Sequence, residues 1–308
     1  MGNKKHIIGI IGQTATGKTK LAVELAYRLN GEIISADSRQ VYKHMDIGTG
    51  KDLNEYTIHN TFIPYHLIDI CEPGEEYNVF RFQQDFLAAY HNILAREKQP
   101  VMCGGSVMYI DAVVSGYAFR HVPENPKLRE QWKNLPDAVL TEQLKKLKPL
   151  HNTTDITDRK RLERALEIAL FEQKNPQAEF PKLPFILFMP VFERTELKKR
   201  ITTRLKERLQ NGMIEEVENL INQHQLSVKQ LKYYGLEYKL VAQYVNGELN
   251  YNDMFQKLNS AIAQFAKRQL TFYRKMQKKG VTIYPVNGNL PFDKKVDFVL
   301  NKIAGTID

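Results

Sequence analysis

This chain has little of several things that would narrow its chemistry at once. Among its 308 residues there are two cysteines, Cys71 and Cys103, with neither a C-x-x-C pair nor the number that a disulfide framework needs. Both are expected to be small buried hydrophobes in a reducing compartment. The eight histidines show no zinc-ligand spacing, and no apolar run approaches the length of a membrane span. No signal-peptide pattern leads into the first apolar run. His6 stands where a myristoylation start needs serine or threonine, so a cytoplasmic protein without membrane attachment is expected. Internal repeats, low-complexity tracts and flexible linkers are missing too. What is there, 43% hydrophobic and 26% charged residues, is the composition of a soluble globular protein. The length exceeds one usual core and implies a main domain with a sizeable elaboration. One imbalance remains. Lysine and arginine number 44 against 35 acids, a net charge of +9, which is compatible with a polyanionic partner without requiring one.

The most specific local signal is Gly12-Gln13-Thr14-Ala15-Thr16-Gly17-Lys18-Thr19, a G-x-x-x-x-G-K-T run preceded by the apolar Ile7-Ile8-Gly9-Ile10-Ile11. Such a loop curls backbone N–H groups around a phosphate oxygen, Lys18 adds a point charge, and the Thr19 hydroxyl is a candidate Mg²⁺ ligand. Leu21, Leu25 and Leu29 repeat at i+4 and i+8 behind it, which completes the strand–loop–helix order with the phosphate at a helix N-terminus. A phosphorylated ligand is therefore expected, with ATP one possibility among several. The loop does not say which.

The first third of the chain alternates apolar runs (Ile7–Ile11, Glu32–Ser35, Tyr65–Ile70, Pro100–Cys103) with helical patterns at Lys18–Leu29 and Val79–Glu97. That order implies an α/β fold of the phosphate-loop NTPase kind, a parallel sheet flanked by helices, with ligand sites at the strands' C-terminal ends. Residues 120–181 are polar, contain Pro123, Pro126 and Pro136, and show helical patterns such as Asp158–Glu172, so a small helical insertion is expected there. Phe185–Met189 reads as a return to the sheet. Long helices follow at Arg194–Gln210, Ile214–Gln223 and roughly Tyr251–Lys279, then a short strand at Thr282–Val286. The domains are thus a core of residues 1–119 and 182–308 and an insertion of residues 120–181.

A second constellation gathers near the loop. The strand Glu32–Ser35 would deliver Asp37 to the sheet rim where the phosphate loop opens, as a Mg²⁺ ligand, a general base, or merely a helix cap before Ser38. Arg39 and Gln40 can hydrogen-bond a base edge or a phosphate, or stand as exposed turn residues. Tyr65-His66-Leu67-Ile68-Asp69-Ile70 has the form of a Walker B strand, with Asp69 equally readable as a structural acid. Gly104-Gly105-Ser106 offers close backbone approach and a hydroxyl, or simply a turn.

Taken in order, these blocks resemble the tRNA dimethylallyltransferase (isopentenyltransferase) family. The series runs through Gly12–Thr19, Ala36-Asp37-Ser38-Arg39-Gln40-Val41-Tyr42, Met45–Thr49, His66–Asp69 and Gly104-Gly105-Ser106 with Tyr109. It continues with Arg161–Glu167, Gly235 and Tyr238, and Lys267-Arg268-Gln269-Leu270-Thr271 with Arg274, so that it spans almost the whole chain. The resemblance implies transfer of a dimethylallyl group from dimethylallyl diphosphate to the exocyclic amine of the adenosine 3′ of the anticodon. It implies that Gly12, Gln13, Thr14, Ala15, Thr16, Gly17, Lys18 and Thr19 hold the donor's diphosphate, with Mg²⁺ on Thr19 and with Arg204 as a further diphosphate ligand. Asp37 would orient the amine and take its proton, Lys18 would neutralise the leaving group, and Ser106, where the family usually has threonine, would keep a hydroxyl at the reacting region. Gln13 replaces the loop's usual proline, Ser106-Val107-Met108 a more usual Thr-Gly-Leu, and Tyr233–Tyr238 is an altered Gly-Tyr motif, as in a divergent bacterial-type paralogue.

A tRNA should leave a physical trace. On the last long helix Leu258, Ile262, Phe265, Phe272 and Met276 form an expected inward stripe, while Lys267, Thr271, Arg274 and Lys278 lie on another face as a basic ridge. Arg159, Lys160, Arg161 and Arg164 make a second basic cluster, with Arg120 and Arg129 near the insertion's start. The target base must leave its stack. Asp37, Ser38, Arg39 and Gln40 would then read it, with Tyr42 or Tyr109 stacking. The tRNA-binding candidates are completed by Arg268, Gln269, Tyr234, Gly235 and Tyr238, and a monomer is expected. Three alternatives remain at this point. They are an enzyme that prenylates free adenine nucleotides (an adenylate isopentenyltransferase), a phosphate-loop small-molecule kinase or NTPase, and a catalytically silent RNA-binding relative.

Overall fold

Short β-branched runs that can be buried on both faces suit the inside of a parallel sheet, and the computed structural model of the chain places them there. It describes residues 5–117, 122–147, 156, 158–175 and 180–307. The chain divides into two compact units, Met1–Gly116 with Lys182–Asp308, and Tyr117–Pro181.

The larger unit begins with β1 (Ile7–Ile11), α1 (Lys18–Arg28) and β2 (Gly31–Ala36), then a 3₁₀ turn at Leu53–Tyr56. Next come the hairpin strands β3 (Thr57–Ile58) and β4 (Thr61–Phe62), β5 (Tyr65–His66), α2 (Val79–Ala95), β6 (Gln99–Gly104) and α3 (Val107–Val114). The smaller unit supplies α4 (Pro126–Trp132), α5 (Asp137–Leu147) and α6 (Arg159–Lys174). The larger unit resumes with β7 (Phe185–Val191), α7 (Arg194–Gln210), α8 (Met213–Asn222), α9 (Val228–Leu231), α10 (Leu236–Val245), α11 (Tyr251–Lys278), β8 (Ile283–Asn287) and α12 (Phe292–Ile307).

Six strands form one parallel sheet in the order β5-β2-β6-β1-β7-β8. All five residues of β1 and all six of β2 are buried, which is why these runs carry almost no polar alternation. The core beneath α1 joins Leu21 and Leu25 to Ile8, Ile10 and Val101, and α12 closes it with Val296, Val299 and Ile303. The smaller unit has a core of its own, built from Trp132, Leu140, Leu144, Leu162 and Leu166.

Two local expectations are corrected. The strand expected over Tyr65–Ile70 pairs with β2 only at Tyr65 and His66, because Leu67 (φ 64°) and Asp69 (φ 54°) enter the left-handed region and break the ladder. The inward stripe on α11 runs through Leu258, Ile262, Ala266, Gln269, Tyr273 and Met276, whereas Phe265 is exposed and Phe272 half-buried. The basic ridge Lys267, Thr271, Arg274 and Lys278 is exposed. No helix among the described residues is long and apolar enough to cross a membrane.

Candidate active site

The phosphate loop leaves β1 and enters α1 through backbone that favours glycine at Gly12 (φ 142°) and Gly17 (φ 74°), with Ala15 also left-handed at φ 61°. Its curl is braced from inside and outside. Thr16 Oγ1 and Lys18 Nζ both donate to Gln13 O, at 2.9 and 2.6 Å. Gln13 Nε2 donates to Ala266 O of α11 at 2.9 Å, so the residue in place of the usual proline is a buried tether. Arg200 of α7 donates Nε to Ala15 O at 2.9 Å and lays its guanidinium over Phe192, 4.5 Å from the ring centroid. Burial pulls the Lys18 ammonium down from its ordinary 10.5 to about 8, with the Arg204 charge adding to the shift and Asp37 opposing it.

Gln269 is the principal revision on α11. It is 3% exposed, accepts from Thr14 N at 2.9 Å and donates to Gly105 O at 2.8 Å. Both ends of its amide join the phosphate loop to the β6–α3 turn, so it braces the loop at the cavity wall where a tRNA contact was expected. Glycine at 105 makes room for this amide, since a Cβ would stand 2.8 Å from Gln269 Nε2 and push it aside.

Asp37 follows β2 directly, half-buried, and its Oδ1 accepts from Arg39 N at 3.0 Å. Ser106, its hydroxyl expected at the reacting region, lines the cavity and is engaged with the turn that follows β2. Its Oγ accepts from Ser38 N at 2.8 Å and donates to Ser38 Oγ at 3.1 Å, while its N–H donates to Ala36 O at 3.2 Å. Ser106 therefore locks the Ala36–Ser38 turn that carries Asp37. Gln40 is likewise turned inward, accepting from Ser35 Oγ at 3.0 Å and donating to Gly50 O at 3.0 Å, so the amide expected to read a base is committed to the protein. Asp69 has no part at the phosphate loop. It pairs with Lys51, which is fully buried and also donates to Tyr42 O and Asp46 Oδ1.

One cavity of about 1030 Å³ in the larger unit is lined by the whole run Thr14–Thr19, by Asp37–Gln40, by the Gly104–Ser106 turn and by one face of α7. Arg200, Arg204 and Arg208 stand four residues apart on that face. Asp52 Oδ2 lies 3.5 Å from Arg204 Nη2 and 3.6 Å from Arg208 Nη2, so one carboxylate serves two guanidiniums. Arg208 Nη2 is buried without a hydrogen bond among the described residues. Burial, helped by the Arg204 charge, brings Arg208 down to about 10. Gly50 sits at φ 67°, backbone that favours glycine, and a Cβ there would stand 1.8 Å from Arg208 Nη2 and displace the guanidiniums. The sequence reading missed Arg208, although the i, i+4, i+8 spacing with Arg200 and Arg204 was there to be seen. It also missed Glu237, a cavity-lining acid whose pKa burial raises.

The remaining candidates divide by exposure. Ser38, Arg39 and Arg268 line the cavity. Tyr42 and Tyr109, expected to stack on a base, are 1% and 6% exposed, and Tyr109 is already stacked on Phe82 at 4.2 Å. Tyr234 is buried with its hydroxyl accepting from Gly74 N, and buried Tyr238 donates its hydroxyl to Glu216 Oε1 at 2.7 Å. Gly235 (φ 124°) packs near Arg39 Nε. In the smaller unit Arg129 and Arg164 converge on buried Glu167, with N···O distances of 2.8 to 3.1 Å, and Arg159 is spent on Asp137, Glu163 and two backbone carbonyls. Their charges hold that unit together. Lys160 and Arg161 are exposed and form no ion pair among the described residues, while Arg120 lies outside them.

No cluster of three histidine, cysteine or acidic side chains suited to a metal is found among the described residues. Thr19 suits Mg²⁺ in another way. It opens α1 beside the phosphate loop and lines the cavity, a single hard-oxygen ligand of the kind that Mg²⁺ combines with phosphate oxygens and waters.

With this geometry in hand, resemblances to known proteins agree with one another. The IPP transferase family model matches residues 40–276. "tRNA dimethylallyltransferase 1" of Geotalea uraniireducens is 52% identical over 285 residues, 92% of this chain and 93% of that one. "tRNA dimethylallyltransferase 2" of Phocaeicola vulgatus is 47% identical over 300 residues, 97% of each. Among solved structures, the full-length tRNA isopentenylpyrophosphate transferase of Bacillus halodurans superposes with a TM-score of 0.71 at 30% identity, over 98% of this chain and 96% of that one. A eukaryotic dimethylallyltransferase acting on tRNA gives 0.76 at 26% identity, over 92% of this chain and 74% of that one.

Proposed function

Since the chain belongs to the tRNA dimethylallyltransferase (IPP transferase) family and is an enzyme that modifies the adenosine 3′ of the anticodon in tRNA, we propose how its residues divide that work. The donor is dimethylallyl diphosphate, and its diphosphate rests in the loop Gly12–Thr19. In the transfer, the bond between the allylic carbon and the diphosphate oxygen breaks, and a bond from that carbon to the exocyclic nitrogen of adenine forms. The nitrogen's proton passes to the Asp37 carboxylate, and diphosphate leaves.

Charge develops on the departing diphosphate, so the donors and cations that line the same cavity contribute most. Those are the loop N–H groups, Lys18, and Arg204 with Arg208 behind it. Mg²⁺ held by Thr19 would supply further neutralisation of that charge when bound. An exocyclic aromatic amine is a weak nucleophile, so holding it against the allylic carbon matters as much as deprotonating it. Ser106 is a positioning residue in this reading. It fixes the turn from which Asp37 projects. Gln40 stiffens the same segment from the other side.

The single observation that carries this reading is that the phosphate loop and Asp37 open into one cavity from parallel strands separated only by β6. The test is to incubate the protein with Mg²⁺, dimethylallyl diphosphate and unmodified tRNA, then to digest and look for isopentenyladenosine. Asp37→Asn should lose about 10²-fold or more in kcat while still binding tRNA. Near-full activity of that variant removes Asp37 as the base. AMP in place of tRNA should be a poor acceptor, and efficient AMP prenylation would overturn the role of the basic surfaces. The smaller unit contributes tRNA contacts through Lys160 and Arg161, and the exposed face of α11 contributes Lys267, Arg268, Thr271 and Arg274.

A further inference from the structure

Of the two tyrosines expected to stack on a base, Tyr42 is buried and Tyr109, at the cavity wall, is already stacked on Phe82, yet the cavity does present exposed apolar groups. They are Met108, Tyr233 and Phe265, which are 56%, 60% and 38% exposed. Tyr233 is the most exposed of them and the only one whose surroundings hold it in place without covering it. It follows α9, where Tyr233 N donates to Gln230 O at 2.9 Å and Tyr234 N to Leu231 O at 3.1 Å. The Tyr234 ring meets it edge-on, with centroids 5.9 Å apart and planes at 89°, and Tyr234 is anchored against Tyr42 and by Gly74 N. The Arg39 guanidinium lies 5.9 Å from the Tyr233 centroid, and the same residue's N–H is held by Asp37 Oδ1. An exposed ring that lines the cavity and is held on a buried aromatic footing, with a guanidinium beside it, presents an open face to a planar partner.

We propose that Tyr233, with Arg39 beside it, is a stacking platform for a nucleobase of the tRNA anticodon loop next to the adenosine that enters the cavity. The proposal rests on the acceptor reading given above. When the target adenosine leaves its stack, it exposes the face of a neighbouring base to water. An aromatic ring at the cavity rim replaces that lost stack, and a guanidinium beside it favours the same arrangement. Arg39 couples the platform to the Asp37 turn through one residue, so the stacked base and the adenosine amine are placed by a single short segment.

The experiment uses the full-length protein and an anticodon stem-loop RNA carrying 2-aminopurine at the position beside the acceptor adenosine. Tyr233→Ala should raise the stem-loop KM and Kd roughly tenfold, leave the KM for dimethylallyl diphosphate and the melting temperature unchanged, and abolish the quenching of 2-aminopurine on binding. Tyr233→Phe and Tyr233→Trp should restore both affinity and quenching. Unchanged stem-loop affinity and quenching in Tyr233→Ala overturn the proposal. Equal impairment of Tyr233→Phe also overturns it, because the hydroxyl would then be the group that counts. If the wild-type protein binds and quenches the stem-loop without prenylating it, and Tyr233→Ala loses the quenching, stacking stands and the acceptor reading falls. If the wild-type protein does not bind the stem-loop at all, both fall.

Discussion

Lys18 sits where burial and a neighbouring arginine turn electrostatics into a pH dependence. Its ammonium loses its proton near pH 8, well below the ordinary 10.5. A diphosphate bound against it favours the charged form, so donor binding and protonation of Lys18 support one another. The KM for dimethylallyl diphosphate should be flat up to about pH 7.5 and rise above about pH 8, approaching tenfold per pH unit. The break in kcat should lie at higher pH, since the bound donor holds the proton on. Lys18→Met should start at a KM at least about tenfold higher and show no break, and a KM profile of the wild type that stays level to pH 9.5 contradicts the assignment. For folding, the sign runs opposite to that of a salt-bridged lysine. Between about pH 8 and 10.5 the unfolded chain holds a proton that folded Lys18 has released, so this group's contribution to stability increases with pH. Ser106 makes a different prediction, because it touches the turn and not the chemistry. Removing its two bonds to Ser38 costs about 1 kcal/mol each. Ser106→Ala should therefore lower kcat several-fold with the donor KM unchanged, and Ser106→Thr should keep the rate.

At the scale of elements, α11 joins the phosphate loop to the sheet through one side chain. Gln269→Leu preserves the helix and the volume but strands Thr14 N and Gly105 O, at a cost of about 1–3 kcal/mol for each group left without a partner. The expected result is a raised donor KM and a melting temperature several degrees lower, measured by thermal unfolding with and without diphosphate. A variant with both values unchanged would show that the loop keeps its curl by its own bonds. The strands β1 and β7 were legible in the sequence because burial on both faces writes itself as an unbroken apolar run, and β2 and β6 through the shorter apolar cores Ile33-Ile34 and Val101-Met102-Cys103. The end of β5 was not legible, since left-handed φ at Leu67 and Asp69 leaves no mark in hydropathy. The β3–β4 hairpin turns at His59 and Asn60 (φ 48° and 58°) without the glycine that signals such a turn. The α11 stripe was misread at Phe265 and Phe272 because a large apolar residue need not lie on the buried face, and here the seam runs through Ala266, Gln269 and Tyr273. Long-range polar bonds were the least visible of all. Glu216 of α8 accepts from the N–H groups of Asp46, Ile47 and Gly48 at 2.7 to 2.9 Å, and no local pattern links residues 170 positions apart.

For the whole molecule, the net charge of +9 is useful only where it is free to meet a phosphate. Arginine pairs with a buried carboxylate inside the smaller unit have already used part of it. Glu167, 3% exposed, accepts from Arg129 and Arg164, so those two cations act as structural partners of one acid. Lys160 and Arg161, exposed on the same helix, keep their charge for solvent or RNA. Sequence spacing cannot separate Arg164 from Lys160 and Arg161, because all three lie in one basic cluster and differ only in what faces them. Their responses to substitution should differ sharply. The double variant Lys160→Glu, Arg161→Glu should melt within about a degree of the parent and lose tRNA affinity tenfold or more, with the salt slope of binding shallower by about two. Donor KM should stay unchanged, since neither residue lines the phosphate cavity. Arg129→Gln should do the reverse, leaving Glu167 under-compensated at a cost of about 2 kcal/mol or more and showing its effect first in thermal unfolding. Filter binding of tRNA from 50 to 300 mM salt, beside melting curves for both variants, separates charge that recognises RNA from charge that holds the helices together. An unchanged salt slope in the double variant would move the RNA contact away from this helix and onto the exposed face of α11, where Lys267, Arg268 and Arg274 remain.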